Sequence, residues 1–451
     1  MDVFFLELEV RPTGQNAQAE LVEGAYAHCW VLDDSPTGAY NRASHYVRGG
    51  EWDVVNATAP VKVVEENFAN ADLGLQQLTK AKEETIAIFY TGWSRDGKTS
   101  SGPTELQRSG SVDLNSYVQS QKRLTNKARC LHFESTGECK DLAKAHSIQK
   151  NGILRMISQD SHVYVPSMNI GTMRKNAGKV ALERKGIARV STFAGFCAQH
   201  DSELFRPIDT MALAPSDQQV ALYGYRALCH EVFAKENASA LIDEQLELGG
   251  HDRATRELLE AYRIGTSVGL NNLQRHKSAF DELLRDAAYE DVEYTLFIFR
   301  QPPLFAFSAV FYPEFDFLGQ HLQVLTDHPT SLDLMTVCSA NTDDAWGLLF
   351  CWHKTSSSAC TEFLRSLATV IHEGRSVEAA LLRMVVALCG NLAVAPRWWE
   401  SLAEQERERF CFAFNAGVNW FAPTTATHLM ADLELDTGWK CDSVRQRRAS
   451  K

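Results

Sequence analysis

Residues 130–152 read CLHFESTGECKDLAKAHSIQKNG and residues 191–205 read STFAGFCAQHDSELF. These two stretches hold Cys130, Cys139, His146, Cys197 and His200, side chains of the kind that bind a soft metal. Zinc prefers thiolate sulfur and imidazole nitrogen, and four such donors complete its tetrahedral shell. The C-x-x-H spacing of Cys197 and His200 is the tight spacing that a zinc knuckle or a helix start can present to one ion. Eight residues separate Cys130 from Cys139, more than the usual two to four, so the loop carrying Glu134, Gly137 and Glu138 is enlarged. The surrounding text, FESTGE and AQHD, is polar. Cys29, Cys338, Cys351, Cys389 and Cys411 instead sit in apolar text and read as small core side chains, and Cys351 with His353 is not taken as a catalytic pair. A structural Zn2+ held by Cys130, Cys139, Cys197 and His200 is the expectation.

The rest of the chain surrounds this module with folded protein. With 451 residues, 45% of them hydrophobic and 23% charged, several cores are expected, and no apolar run reaches the ~20 residues of a membrane span. The opening MDVFFLELEVRP lacks the basic start and small-residue cleavage site of a secretory signal and reads as a strand. Eleven cysteines, odd in number and scattered singly, fit a reducing cytoplasm better than a disulfide framework. The net charge of −12 argues against a surface that coats nucleic acid or membrane throughout. Its distribution is uneven: residues 1–120 carry 9 basic and 17 acidic side chains, 121–210 carry 15 and 8, and 211–451 carry 21 and 32. The basic middle fits DNA or RNA as a partner, the acidic C-terminal part fits a protein partner, and nothing fits a membrane.

Strand and helix signals alternate over residues 1–94, giving a small α+β domain. The Ser-, Gly- and Thr-rich text that follows reads as a linker over 95–120. The zinc module spans 121–210. Residues 211–290 read as helical, with Asp252 capping a long helix whose apolar stripe runs through Leu273, Phe280 and Leu284. Residues 291–442 read as a C-terminal α+β domain. Its strands are apolar on both faces and so need helices on each side, supplied by 361–372, 377–388 and 399–412. A connection of slightly more than minimal length is expected at Asn341–Asp344. The last residues, 443–451, read as a disordered basic tail. The fold class is α+β multidomain, with a treble-clef-like zinc module at the centre and a helical plus mixed α/β region after it.

A cysteine-paired hairpin, a His entering a turn in AHSIQKNG and a C-x-x-H followed by a polar residue together resemble the treble clef of HNH-type nucleases. They also resemble bacterial proteins in which such a module lies between an α+β N-terminus and a helical region. The resemblance covers about 80 residues. It implies a metal-dependent endonuclease in which His146 is the general base and Asp201 holds a catalytic Mg2+ or Mn2+. Ala145 departs from the pattern, standing where many HNH sequences carry an acidic or His ligand, and the interval from His146 to Cys197 is longer than usual. That interval contains His162, which begins a strand, and the run Arg174, Lys175, Lys179, Arg184, Lys185 and Arg189. Such a run neutralises phosphates, or is a solvated face. Two further readings stand beside the nuclease. In one, zinc only closes the fold of a nucleic-acid-binding or scaffold component of a bacterial assembly; in the other, the acidic C-terminal domain carries the function.

Overall fold

The computed structural model describes residues 2–14, 16, 19, 22–68, 72–94, 114–135, 139–167, 180–248, 253–325, 331–343, 345–418, 426–430 and 432–448. Most of the expected linker (95–113), Gly137, Glu138, Arg174, Lys175, Lys179 and the Asp252 cap lie outside the described residues. The chain is an α+β protein with several sheets.

The first unit consists of β1 (Asp2–Pro12), β2 (Val22–Asp33), α1 (Pro36–Gly49), β3 (Trp52–Ala57), β4 (Val61–Val63), α2 (Asp72–Glu84) and β5 (Ile86–Ser94). Its antiparallel sheet runs β3-β1-β2-β5, with β4 also on β1. Alternation along β1 sorts the side chains: Phe4, Leu6 and Leu8 pack with Ala39, Ala43 and Val47 of α1, while Val3 and Phe5 pack with Leu78 and Ala81 of α2. The oxygen of Ser35 accepts from Gly38 N and Pro36 fills the first turn, so α1 begins where the sequence caps it.

Next come α3 (Leu114–Asn126), β6 (Leu142–His146), β7 (His162–Ser167), β8 (Ala181–Gly186), β9 (Thr192–Cys197) and α4 (Ala198–Asp209). The last part of the expected linker is therefore helix. β6 pairs with β9 and β7 with β8, both antiparallel. Two long helices follow, α5 (Asp217–Leu248) and α6 (Arg253–Arg285), packed on each other.

The remaining elements are β10 (Val292–Phe299), β11 (Phe305–Phe311), β12 (Met335–Thr342), β13 (Ala345–His353), α7 (Ser357–His372), α8 (Val377–Leu388), β14 (Leu392–Val394), α9 (Pro396–Ser401), α10 (Glu404–Val418) and β15 (Cys441–Arg447). One eight-stranded sheet runs β15-β10-β13-β12-β11-β14-β7-β8, so β7 and β8, which lie between the two halves of the zinc module, extend the C-terminal sheet through β14. Both faces are covered, as apolar strands require. Leu296, Ile298, Cys338, Leu349 and Cys351 pack with Val220 and Leu228 of α5, whereas Phe297, Phe299, Val337, Leu348 and Phe350 pack with Phe363, Leu381 and Phe410 of α7, α8 and α10.

Three expectations need correction. The basic tail is a strand through Arg447, paired with β10 from Phe299↔Cys441 to Tyr294↔Arg447, because an edge strand with one free side accepts polar, exposed side chains. The helix expected at 399–412 is two helices broken at Leu402, whose backbone is extended. The β12–β13 turn is tighter than expected, since pairing continues to Thr342↔Ala345.

Candidate functional site

The four predicted ligands meet. The Sγ atoms of Cys130, Cys139 and Cys197 and a ring nitrogen of His200 all lie within 4.8 Å of one another, so the cluster can hold a metal ion such as zinc. Cys130 Sγ is 3.4 Å and Cys139 Sγ 3.6 Å from His200 Nδ1. A tetrahedral ion bonded at ~2.3 Å to sulfur and ~2.0–2.1 Å to nitrogen sets sulfur and nitrogen ~3.5–3.6 Å apart, so these separations fit. β9 and α4 deliver the second pair of ligands. Cys197 is the N-cap of α4 and its sulfur accepts from His200 N at 3.4 Å, an arrangement in which the helix N-terminus also favours a thiolate.

Helix α5 holds the stretch around Cys130 in place. Arg129 donates to Glu236 and to Phe233 O and lies over the Phe233 ring at 4.0 Å, and Tyr225 donates to Leu131 O at 3.0 Å. His132, which the sequence reading passed over, stacks on His200 with ring centroids 4.0 Å apart and planes 7° from parallel. It is buried, and its Nδ1 accepts from Glu134 N, so it fixes the plane of the His200 ring. Neither sequence spacing nor ligand chemistry marks a stacking partner.

Beside the cluster, Lys144, His146, Gln149, Lys150, Asn151, Asp201, Asp209 and Arg226 line a cavity of about 200 Å³. His146 and Asp201 thus reach one pocket from the end of β6 and the first turn of α4. His146 Nε2 is 3.3 Å from Ile187 O. A carbonyl only accepts, so in the neutral ring Nε2 carries the hydrogen and Nδ1 is the basic nitrogen. Burial holds the His146 pKa below the ordinary value, with Lys150 and Arg226 adding to the effect, and the ring stays neutral near pH 7. Burial raises the pKa of Asp201, Asp209 adds to that and Arg226 opposes it; Asp201 Oδ1 is buried with no hydrogen-bond partner.

Alternation along β6 explains Ala145. Lys144 and His146 line the pocket, while Ala145 is buried among Phe193, Phe196 and their neighbours, so an acidic side chain there would enter an apolar core. Arg226 is 2% exposed as a side chain; it donates to both carboxylate oxygens of Asp209, at 2.8 and 2.7 Å, and lies over the Phe205 ring. His146, Asp201 and Asp209 do not gather as a third ligand group within 4.8 Å; among the described residues the groups are the Cys3His cluster and His132, Glu134 and His200. Of the basic run, Arg184, Lys185 and Arg189 are exposed on β8 and the turn after it, next to the Ile187 carbonyl that faces His146. His162 is exposed and bonded to Asp160 O, and it does not line the pocket.

No family model, curated protein or solved structure matches this chain. None of the eleven cysteines forms a disulfide, and no described helix is long and apolar enough to cross a membrane.

Proposed function

We propose that the central module is an HNH-like nuclease centre acting on a nucleic-acid phosphodiester, with a structural zinc closing the fold and His146 as general base. The observation that carries this reading is the shared pocket: the helix start that holds Cys197 and His200 also carries Asp201, and β6, paired with β9, brings His146 into the same polar cavity. In this reading water gives its proton to His146 Nδ1 while its oxygen bonds phosphorus. The bond from phosphorus to the leaving sugar oxygen breaks, and that oxygen takes a proton from solvent. The exposed Arg184, Lys185 and Arg189 lie on β8 and the turn whose Ile187 carbonyl accepts from His146, and they suit a duplex backbone, which is read through its phosphates. A Mg2+ or Mn2+ at Asp201, implied by the resemblance, finds no gathered ligand set there among the described residues.

The test is His146→Ala. Zinc content and melting temperature are expected to stay close to the parent's, while cleavage of DNA or RNA falls by roughly 10²–10⁴-fold. Loss of zinc on this substitution removes the general-base reading, and a parent protein that cuts neither DNA nor RNA leaves the module as a zinc-closed binding or scaffold unit.

A further inference from the structure

We infer that Lys144, Lys150 and Arg226 form an anion site that holds a phosphodiester phosphate directly against His146, in the place where HNH enzymes put a divalent cation. The inference rests on the reading of this pocket as a nuclease centre for its choice of anion, and on the lining residues for the site itself. Three cationic side chains border a cavity of about 200 Å³, large enough for a phosphate group. Two of them are uncommitted: neither Lys144 nor Lys150 makes an ion pair with a described residue. The third sits on the buried side. Arg226 spends its two terminal nitrogens on Asp209, but its Nε is buried with no acceptor. A buried donor without a partner is costly, so a small side-chain shift that brings this N–H to an oxygen of a bound anion would be favourable.

The acidic groups do not offset this arrangement in favour of a cation. Asp209 and Arg226 neutralise each other through their two-pronged contact, which leaves Lys144 and Lys150 facing Asp201 as the single remaining carboxylate of the lining. One carboxylate and one imidazole are a poor ligand set for Mg2+, which takes octahedral oxygen coordination. Two ammonium groups against one carboxylate leave the lining net positive, which suits an anion. Position 145, where a metal-binding acid would stand, points into the core instead. The same strand that carries Ala145 in the core supplies Lys144 to the pocket, so the side chain it offers beside His146 is a cation.

Calorimetric titration of the zinc-loaded chain with the dinucleotide TpT and with inorganic phosphate, in buffer without magnesium or manganese, tests the site. Both ligands are expected to bind, and millimolar magnesium is expected to change the affinity little. The double substitution Lys144→Gln, Lys150→Gln is expected to weaken binding by about tenfold or more, as loss of charge-assisted hydrogen bonds does, and Lys144→Arg, Lys150→Arg to retain it. Zinc content and melting temperature measured on each variant establish that it is folded. Affinity unchanged in the glutamine variant, or binding that appears only once magnesium is added, overturns the inference. Lysine-dependent phosphate binding by a parent protein that cleaves nothing supports the anion site and removes the nuclease reading, so the two fail separately.

Discussion

Cys197 acts at two levels within one residue. Its sulfur is one of four donors in the Cys3His cluster, and it also caps α4 by accepting from His200 N. Replacing it with Ser keeps a cap of sorts but removes a thiolate ligand, and in small zinc domains metal-binding free energy, on the order of 10 kcal/mol, is folding free energy. Cys197→Ser is therefore expected to lose stoichiometric zinc by elemental analysis and to melt at a markedly lower temperature; a variant with full zinc and the parent's melting curve would falsify the ligand assignment. The four ligands were legible in the sequence because donor chemistry and polar flanks are local properties. Lys144, Arg226 and His132 were not. Lys144 looks like any surface lysine until β6 is known to turn its even-numbered side chains to the pocket. Arg226 comes from α5, and what marks it is burial against Phe205 and Asp209, a property of the tertiary structure. Ala145 looked like a defect in a motif, and its reason is the core behind the strand.

The segment after β6 is the element on which the pocket depends. Ser147 and Ser191 share a short hydroxyl contact, and Asn391, just before β14, donates to both, at 2.8 and 3.1 Å. Ser191 is held at φ 57°, a left-handed conformation that side chains avoid unless their surroundings fix it. Gln149 donates to Ile208 O at 2.7 Å at the end of α4. A short kinked turn, Lys150–Leu154, follows, with Gly152 at a non-helical φ −102°, ψ −113°, and a Cβ on Gly152 would come within 2.1 Å of Gln149 Oε1 and 2.4 Å of Asn341 Oδ1. Gly152→Ala must displace both of these amides from a packed site, and overpacking of this kind costs about 1–3 kcal/mol. Its expected result is a lowered unfolding midpoint in urea with the zinc retained; an unchanged midpoint would show that the amides yield without cost. The AHSIQKNG text thus has a structural meaning beyond its His: Ser147, Gln149 and Gly152 join the metal module to α4 and the large sheet. At this scale the N-terminal elements and the covered C-terminal strands were legible, since their apolar periods are strong. β15 was hidden because CDSVRQR is polar and pairs along one side only. The attachment of β7 to β14 was hidden because nothing in either strand names a partner more than two hundred residues away.

For the molecule as a whole, buried histidines set a direction for its response to acid. His276, bonded to Leu332 O, and His353, beside Thr355, are both buried, and burial lowers the pKa of each below the ordinary value of about 6.5. The unfolded chain therefore binds protons on these rings first, so the stability they confer is complete above pH ~6.5 and is lost as the pH falls toward their folded values. A melting temperature that falls between pH 7 and pH 5 is the expected outcome in a calorimetric pH series, and a rise over that range would contradict it. The eight-stranded sheet also sets a schedule. Val180, at the start of β8, donates its backbone N–H to Asn415, 235 residues later in the chain. At synthesis rates of roughly 5–20 residues per second, the strands between the metal ligands emerge some 10–50 s before the partners that anchor them to the sheet. For that interval the ligands can already capture their ion while β7 and β8 remain an unclaimed hairpin with open edges, so on the ribosome the metal centre precedes the sheet that later encloses its insertion.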